Sequence, residues 1–144
     1  MKKINCVLLV DDSEPTNVFN KYVISKVNFC NYVKIAKDGE EALSYIKKAG
    51  SNDLSEFPVD REVNFPNPDL IFLDINMPRM NGFEFLDEYK KFDANLKSAV
   101  QIIVLTTSLN PDDQKRALGY KEVAGFQRKP LTTKMIIETM ENYF

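Results

Sequence analysis

A chain of 144 residues is one domain's length and is long enough to bury a core. Its 44% hydrophobic and 28% charged residues exclude disorder as the default, and a net charge of -2 argues against a nucleic-acid surface, which needs a basic excess. There is no histidine, which excludes a histidine-based triad, an imidazole zinc site and a histidine phosphoacceptor.

The chain opens Met1-Lys2-Lys3 and runs into "CVLLV" (6–10), an apolar run of strand length. That start faintly resembles a signal peptide, but the run meets Asp11-Asp12 rather than a small-residue cleavage site. No segment approaches the ~18 apolar residues of a membrane span. A cytoplasmic protein is expected, and the lone pair Cys6 and Cys30 is a poor disulfide framework.

Residues 14–28 place Val18, Phe19, Tyr22, Val23 and Val27 at helical spacing, with Pro15 in the first turn where it is tolerated. "YVKIA" (32–36) alternates and is rich in β-branched residues, which predicts a strand. "DGEEALSYIKKAG" (38–50) predicts a helix, acidic at its start and basic before Gly50. "DLIFLD" (69–74) predicts a buried strand, followed by a helix from about Gly82 to Phe92. The strand "VQIIVLTT" (100–107), a helix from Pro111 to Leu118, a short strand "AGFQR" (124–128) and a helix from about Thr132 complete the chain.

Five strand–helix alternations predict an α/β fold with a parallel sheet covered on both faces, a flavodoxin-like (βα)5 domain of strand order 2-1-3-4-5. The chain is expected to form a single domain over 1–144. One connection, "SNDLSEFPVDREVNFPNP" (51–68), far exceeds the ~2–6 residues usual for such loops, and is expected to be a surface insertion rather than a linker.

Open parallel sheets bind ligands beyond the carboxyl ends of their strands, where strand order reverses. The first strand ends in Asp11-Asp12, the third in Asp74, the fourth in Thr106-Thr107, and Lys129-Pro130 follow the fifth. The second ends in Lys37-Asp38, to which no chemistry is assigned. Each residue taken singly has a plain structural explanation: a strand-end acid often caps the next helix, a lysine before proline is usually solvated, and Phe126 alone is core. Together they put three carboxylates in one pocket, with Thr106 and Lys129 beside them. Clustered carboxylates hold a proton or recruit a cation, and hard oxygen ligands suit Mg²⁺. A carboxylate nucleophile, a divalent cation, a lysine and a hydroxyl are the equipment of phosphoryl transfer.

The set Asp11-Asp12, Asp74 within "LDINMPRMNGFE", Thr106 within "VLTTS", and Lys129-Pro130 resembles the receiver domain of two-component response regulators, over essentially the whole chain. The resemblance implies that Asp74 accepts a phosphoryl group from a phosphohistidine on a sensor histidine kinase or a histidine phosphotransfer protein. It implies that Asp12 ligates Mg²⁺ directly and Asp11 mostly through metal-bound water, with Asp74 and the backbone carbonyl of Asn76 completing the protein's share. Lys129 is then the partner of the acceptor and of the phosphoryl group, Thr106 bonds a phosphoryl oxygen, and Phe126 holds the aromatic switch position.

Two departures stand out. Asn81 replaces the frequent Asp of "MP-x-M-D-G", past the chemistry. Phe126 lacks the hydroxyl of the frequent tyrosine, so its ring is expected to sit substantially inward even before phosphorylation. The insertion and the end of the chain after the fifth helix resemble the small stand-alone receivers that pair with bacterial phytochromes and hybrid kinases. Output through a protein contact is then expected, to a downstream protein or a second copy, through helix four, strand five and helix five (roughly 110–144), with no nucleic acid or membrane involved.

Such a protein is not an enzyme toward other substrates; it catalyses only its own phosphorylation and dephosphorylation. Two alternatives differ in class. A Mg²⁺-dependent aspartyl-phosphate phosphatase of the haloacid-dehalogenase type wants Asp-x-Asp where this chain has Asp11-Asp12-Ser13, and usually a cap domain. A binding module that uses the fold without phosphorylation would be signalled by loss of the acceptor or the lysine.

Overall fold

The computed structural model describes residues 2–50, 65–97 and 99–144. Its elements are β1 (Ile4–Val10), α1 (Glu14–Val27), β2 (Cys30–Ala36), α2 (Gly39–Gly50), β3 (Leu70–Leu73), α3 (Gly82–Tyr89), a one-turn helix (Ala94–Lys97), β4 (Gln101–Thr106), α4 (Pro111–Leu118), β5 (Val123–Arg128) and α5 (Thr133–Tyr143). The strands pair in parallel in the order β2-β1-β3-β4-β5, the flavodoxin-like arrangement expected. Most of the expected insertion, 51–64, lies outside the described residues. Gly50, where α2 ends, lies near Pro68 and Asp69 at the amino end of β3, away from the acids.

Alternation along the strands divides the core in two. Leu8, Val10, Ile71, Leu73, Ile102 and Val104 face α2, α3 and α4, where they meet Ile46, Phe85, Leu86 and Ala117. Val7, Leu9, Leu70, Phe72, Ile103 and Leu105 face the other way, onto Val23, Ile24, Ile136 and Met140 of α1 and α5. The central strands are therefore apolar on both faces, as covered parallel strands must be. Among the described residues, no helix is long and apolar enough to cross a membrane.

α1 is where the sequence pattern misleads. The helix forms as expected, with Ser13 as N-cap and Pro15 in its first turn, and stops at Asn28, whose φ of 53° is left-handed. Its inner face, however, is Asn17, Asn20, Val23 and Ile24. Val18, Phe19 and Tyr22 are 63%, 46% and 58% exposed. The helix carries apolar residues on two faces, and periodicity alone does not say which of them meets the sheet.

Candidate functional site

Backbone pairing brings the strand-end residues together. The hydrogen-bond ladder runs one residue past the strands: the Asp11 amide donates to the Ala36 carbonyl (3.0 Å), Asp74 to Val10 (2.9 Å) and Lys129 to Thr106 (2.9 Å). Each residue that leaves a strand is thereby held by the strand beside it, at one edge of the sheet. The side chains of Asp11, Asp12 and Asp74 present oxygens that all lie within 4.8 Å of one another. Among the described residues this is the only such cluster of potential metal ligands.

The three acids are not equivalent. Asp11 is buried and fully engaged: its Oδ1 accepts from the Ser13 amide at 2.9 Å, its Oδ2 from Lys129 Nζ at 2.5 Å, and its backbone carbonyl from Asn17 Nδ2 at 2.9 Å. Asp74 is 6% exposed, and its Oδ2 lies 3.4 Å from Lys129 Nζ. Burial pushes the Asp74 carboxyl above the ordinary carboxylate range; the Lys129 charge opposes that shift, and the Asp11 charge adds to it. Asp12 is exposed, and among the described residues no cation pairs with it. Three carboxylates against one ammonium leave an excess of negative charge, and Asp12 is the acid still open to a ligand.

The turn after Asp74 explains the glycine that follows it. Gly82 opens α3 and its amide donates to the Ile75 carbonyl at 2.8 Å. A Cβ there would stand 2.5 Å from the Asp74 carbonyl oxygen and 2.9 Å from Ile75 Cα, too close for any side chain. Asn81, the departure from the family pattern, is the N-cap of α3 in a capping box with Glu84. Asn76 is exposed in the turn, two residues past Asp74.

Thr106 is fully buried at the end of β4, with its Oγ1 accepting from the Ser108 amide at 3.2 Å. Phe126 lies opposite Val104 on β5, half-buried against the α2–α4 side of the core, with the Arg128 guanidinium 5.8 Å from its ring. Pro15, Thr16, Phe19 and Asn20 of α1, together with Thr107, Lys129 and Pro130, line a cleft beside the lysine. The Lys129–Pro130 peptide is cis.

Sequence reasoning singled out Asp11, Asp12, Asp74, Thr106 and Lys129, and the structure gathers these at one sheet edge. It passed over Ser13 and Asn17, which hold Asp11, and the pair Asp38–Arg79. Asp38 caps α2 by accepting from the Glu41 amide at 2.9 Å, and its buried Oδ2 accepts from Arg79 Nε at 2.8 Å. Arg79 itself sits at φ 63°. The one available signal for Asn17 was its spacing from Asn20, Val23 and Ile24, which puts polar residues on a single helical stripe with apolar ones.

Residues 7–141 match the family described as the response regulator receiver domain. Response regulator Rcp1 of Synechocystis is 33% identical over 107 residues, 74% of this chain and 65% of that protein, so the match spans just under two thirds of the relative. Among solved structures, a two-component response regulator from Cytophaga hutchinsonii superposes with a TM-score of 0.81 at 27% identity, covering 99% of this chain and 98% of that one. The phosphorylated cyanobacterial phytochrome response regulator RcpA gives a TM-score of 0.70 at 27% identity, covering 98% and 90%.

Proposed function

The chain belongs to the response regulator receiver domain family of two-component signalling, and on that premise we propose that Asp74 is its phosphoacceptor. One observation carries the reading: a nearly buried carboxylate lies 3.4 Å from a lysine, within a cluster of three acids. The Asp74 carboxylate attacks phosphorus, the P–N bond of a phosphohistidine breaks, and the imidazole leaves with the electron pair. Lys129 provides a fixed positive charge for the incoming phosphoryl oxygens, and the Thr106 hydroxyl donates to one of them.

The donor set fits Mg²⁺: oxygen ligands only, in excess of the local positive charge, with one acid exposed. Asp11, Asp12, Asp74 and the Asn76 carbonyl would hold it, Asp12 directly and Asp11 through water. Both Asp11 oxygens are already taken by Ser13 and Lys129, which supports that division. The ion supplies neutralisation of charge on the transferring group.

Receiver domains pair with histidine kinases, and the donor we propose is a sensor kinase or a histidine phosphotransfer protein. The exposed Val18, Phe19 and Tyr22 beside the site support a protein donor, since an apolar face of this kind suits a macromolecular contact. Output passes through α4, β5 and α5 to a downstream protein or a second copy. The protein acts on no substrate but itself.

The test is labelling by acetyl phosphate or a phosphorylated kinase, with and without Mg²⁺. Label on Asp74 that disappears in Asp74→Asn and in chelator is the expected result; label that survives either overturns the assignment.

A further inference from the structure

Asn17 is an unlikely-looking choice for the inner face of a helix. It is 3% exposed, and its Nδ2 donates to the backbone carbonyl of Asp11 at 2.9 Å. Its Oδ1 is buried and, among the described residues, has no hydrogen-bond partner. An unpaired buried carbonyl oxygen lowers stability. A leucine, branched at the same carbon, would remove that orphan and would extend the apolar face formed by Val23 and Ile24. For packing alone, the amide is a poor solution.

What it does supply is a donor to the Asp11 carbonyl. That carbonyl belongs to the peptide joining Asp11 to Asp12, and its orientation sets the direction in which the Asp12 side chain leaves the backbone. The Asp11 amide on Ala36 and Lys129 on one carboxylate oxygen fix Asp11, while the Ser13 amide on the other carboxylate oxygen holds the peptide that follows Asp12. Asp12 is exposed, and no cation holds it among the described residues. Asp12 is therefore directed by the two peptides that flank it, and Asn17 is the side chain that grips the one before it.

We infer that Asn17 is a positioning residue for the metal-binding carboxylates, holding the Asp11–Asp12 peptide so that Asp12 meets Mg²⁺ in the right direction. The inference rests on the reading of Asp11, Asp12 and Asp74 as the Mg²⁺ ligands. Outer partners that orient metal ligands carry a measurable share of metal affinity. Stability and affinity should therefore part company in this variant, because the amide that helps the metal also brings the orphan oxygen.

The experiment titrates the full chain with Mg²⁺ alone, followed by NMR amide shifts, for wild type, Asn17→Leu, Asn17→Ala and Asp12→Ala. Melting temperature and amide exchange at Asp12 and Ser13 are measured on the same metal-free samples. Asn17→Leu should bind Mg²⁺ about 10-fold more weakly, melt within a few degrees of wild type, and exchange faster at Asp12 and Ser13. Asn17→Ala, which removes the amide without adding bulk, should weaken binding in the same sense and covers a folding defect in the leucine variant. Mg²⁺ affinity equal to wild type in either folded variant overturns the role of Asn17. Wild type that binds no Mg²⁺, or Asp12→Ala that binds as tightly, overturns the underlying metal reading and the inference with it.

Discussion

Lys129 lies closer to Asp11 than to Asp74, with Nζ 2.5 Å from Asp11 Oδ2 and 3.4 Å from Asp74 Oδ2. In this state the lysine is chiefly the counter-ion of Asp11, one of the acids proposed to hold the metal. The proposed phosphorylation of Asp74 requires the lysine to shift toward that residue, or to serve both from between them. Removing it leaves buried carboxylates uncompensated, which is strongly destabilising. Lys129→Met should lose roughly 2 kcal/mol of stability in metal-free urea melts, given that the lysine keeps some solvent contact. Added Mg²⁺ should restore part of the loss by binding the folded state. A variant as stable as wild type without metal would show that the pair contributes nothing net.

Asp74 links stability to pH. Its carboxyl is raised by burial, so the folded state binds its proton more tightly than the unfolded chain does. Its contribution to stability is therefore most favourable in acid, and is lost as pH rises through the raised value; at neutral pH the ionised group is a liability. Asp74→Asn should be more stable than wild type at pH 7, by roughly 1 kcal/mol, or about 3 °C in melting temperature for a domain of this size. The difference should shrink toward pH 4 and also in Mg²⁺, from which wild type gains more. Thermal melts across that pH range check the sign.

Arg79 sets an ion pair against a backbone conformation. Its Nε bonds the buried Asp38, whose side chain is 2% exposed, while its own φ of 63° suits glycine. Arg79→Ala should lose the pair and keep the unfavourable backbone; Arg79→Gly should lose the pair but relieve the backbone. Both should be destabilised, the glycine variant by about 1 kcal/mol less. Equal melting curves for the two would falsify the claim that the left-handed conformation persists in solution.

Thr106 is proposed to couple the acceptor to the surface. A bistable element must sense the new charge, and the Thr106 hydroxyl can turn toward a phosphoryl oxygen, drawing in the end of β4. The Phe126 ring is already half-buried, so its further shift should be modest. Thr106→Ala should still be labelled at Asp74. Hydrogen exchange over residues 110–130, with and without a beryllofluoride mimic, should then show little change. A response as full as wild type would break the proposed link.

Strand order and the convergence of the acids were legible because buried parallel strands announce their ends: "LIFL" has no polar residue until Asp74. The ladder then holds that residue beside Val10, a contact that follows from order alone. The inner face of α1 was not legible. Val18, Phe19 and Tyr22 make a stronger apolar pattern than Asn17, Asn20, Val23 and Ile24, yet the second set faces the sheet. Hydrophobic periodicity weighs side chains by water aversion, and it does not register a buried amide that a strand-end carbonyl requires. Asp38 and Arg79 were invisible for another reason: they are 41 positions apart, and no local spacing marks a pair joined only by the fold.

Gly82 has a mechanical consequence. The start of α3 presses directly on the Asp74 and Ile75 backbone, the Gly82 amide is tied to Ile75, and Asn81 and Glu84 lock the first turn. Gly39 bonds the Met80 carbonyl, and Arg79 bonds Asp38, so the same loop is also fastened to α2. On the same face, α4 buries a single residue, Ala117, and reaches α3 through the Arg116 guanidinium, 4.0 Å from the Phe83 ring. The sheet edge is thus clamped on one flank and lightly moored on the other, like a cantilever. A phosphoryl group on Asp74, as proposed, would meet the tightly fastened backbone toward α3 and the less buried α4 beyond β4, which would give the event a direction before any partner is present.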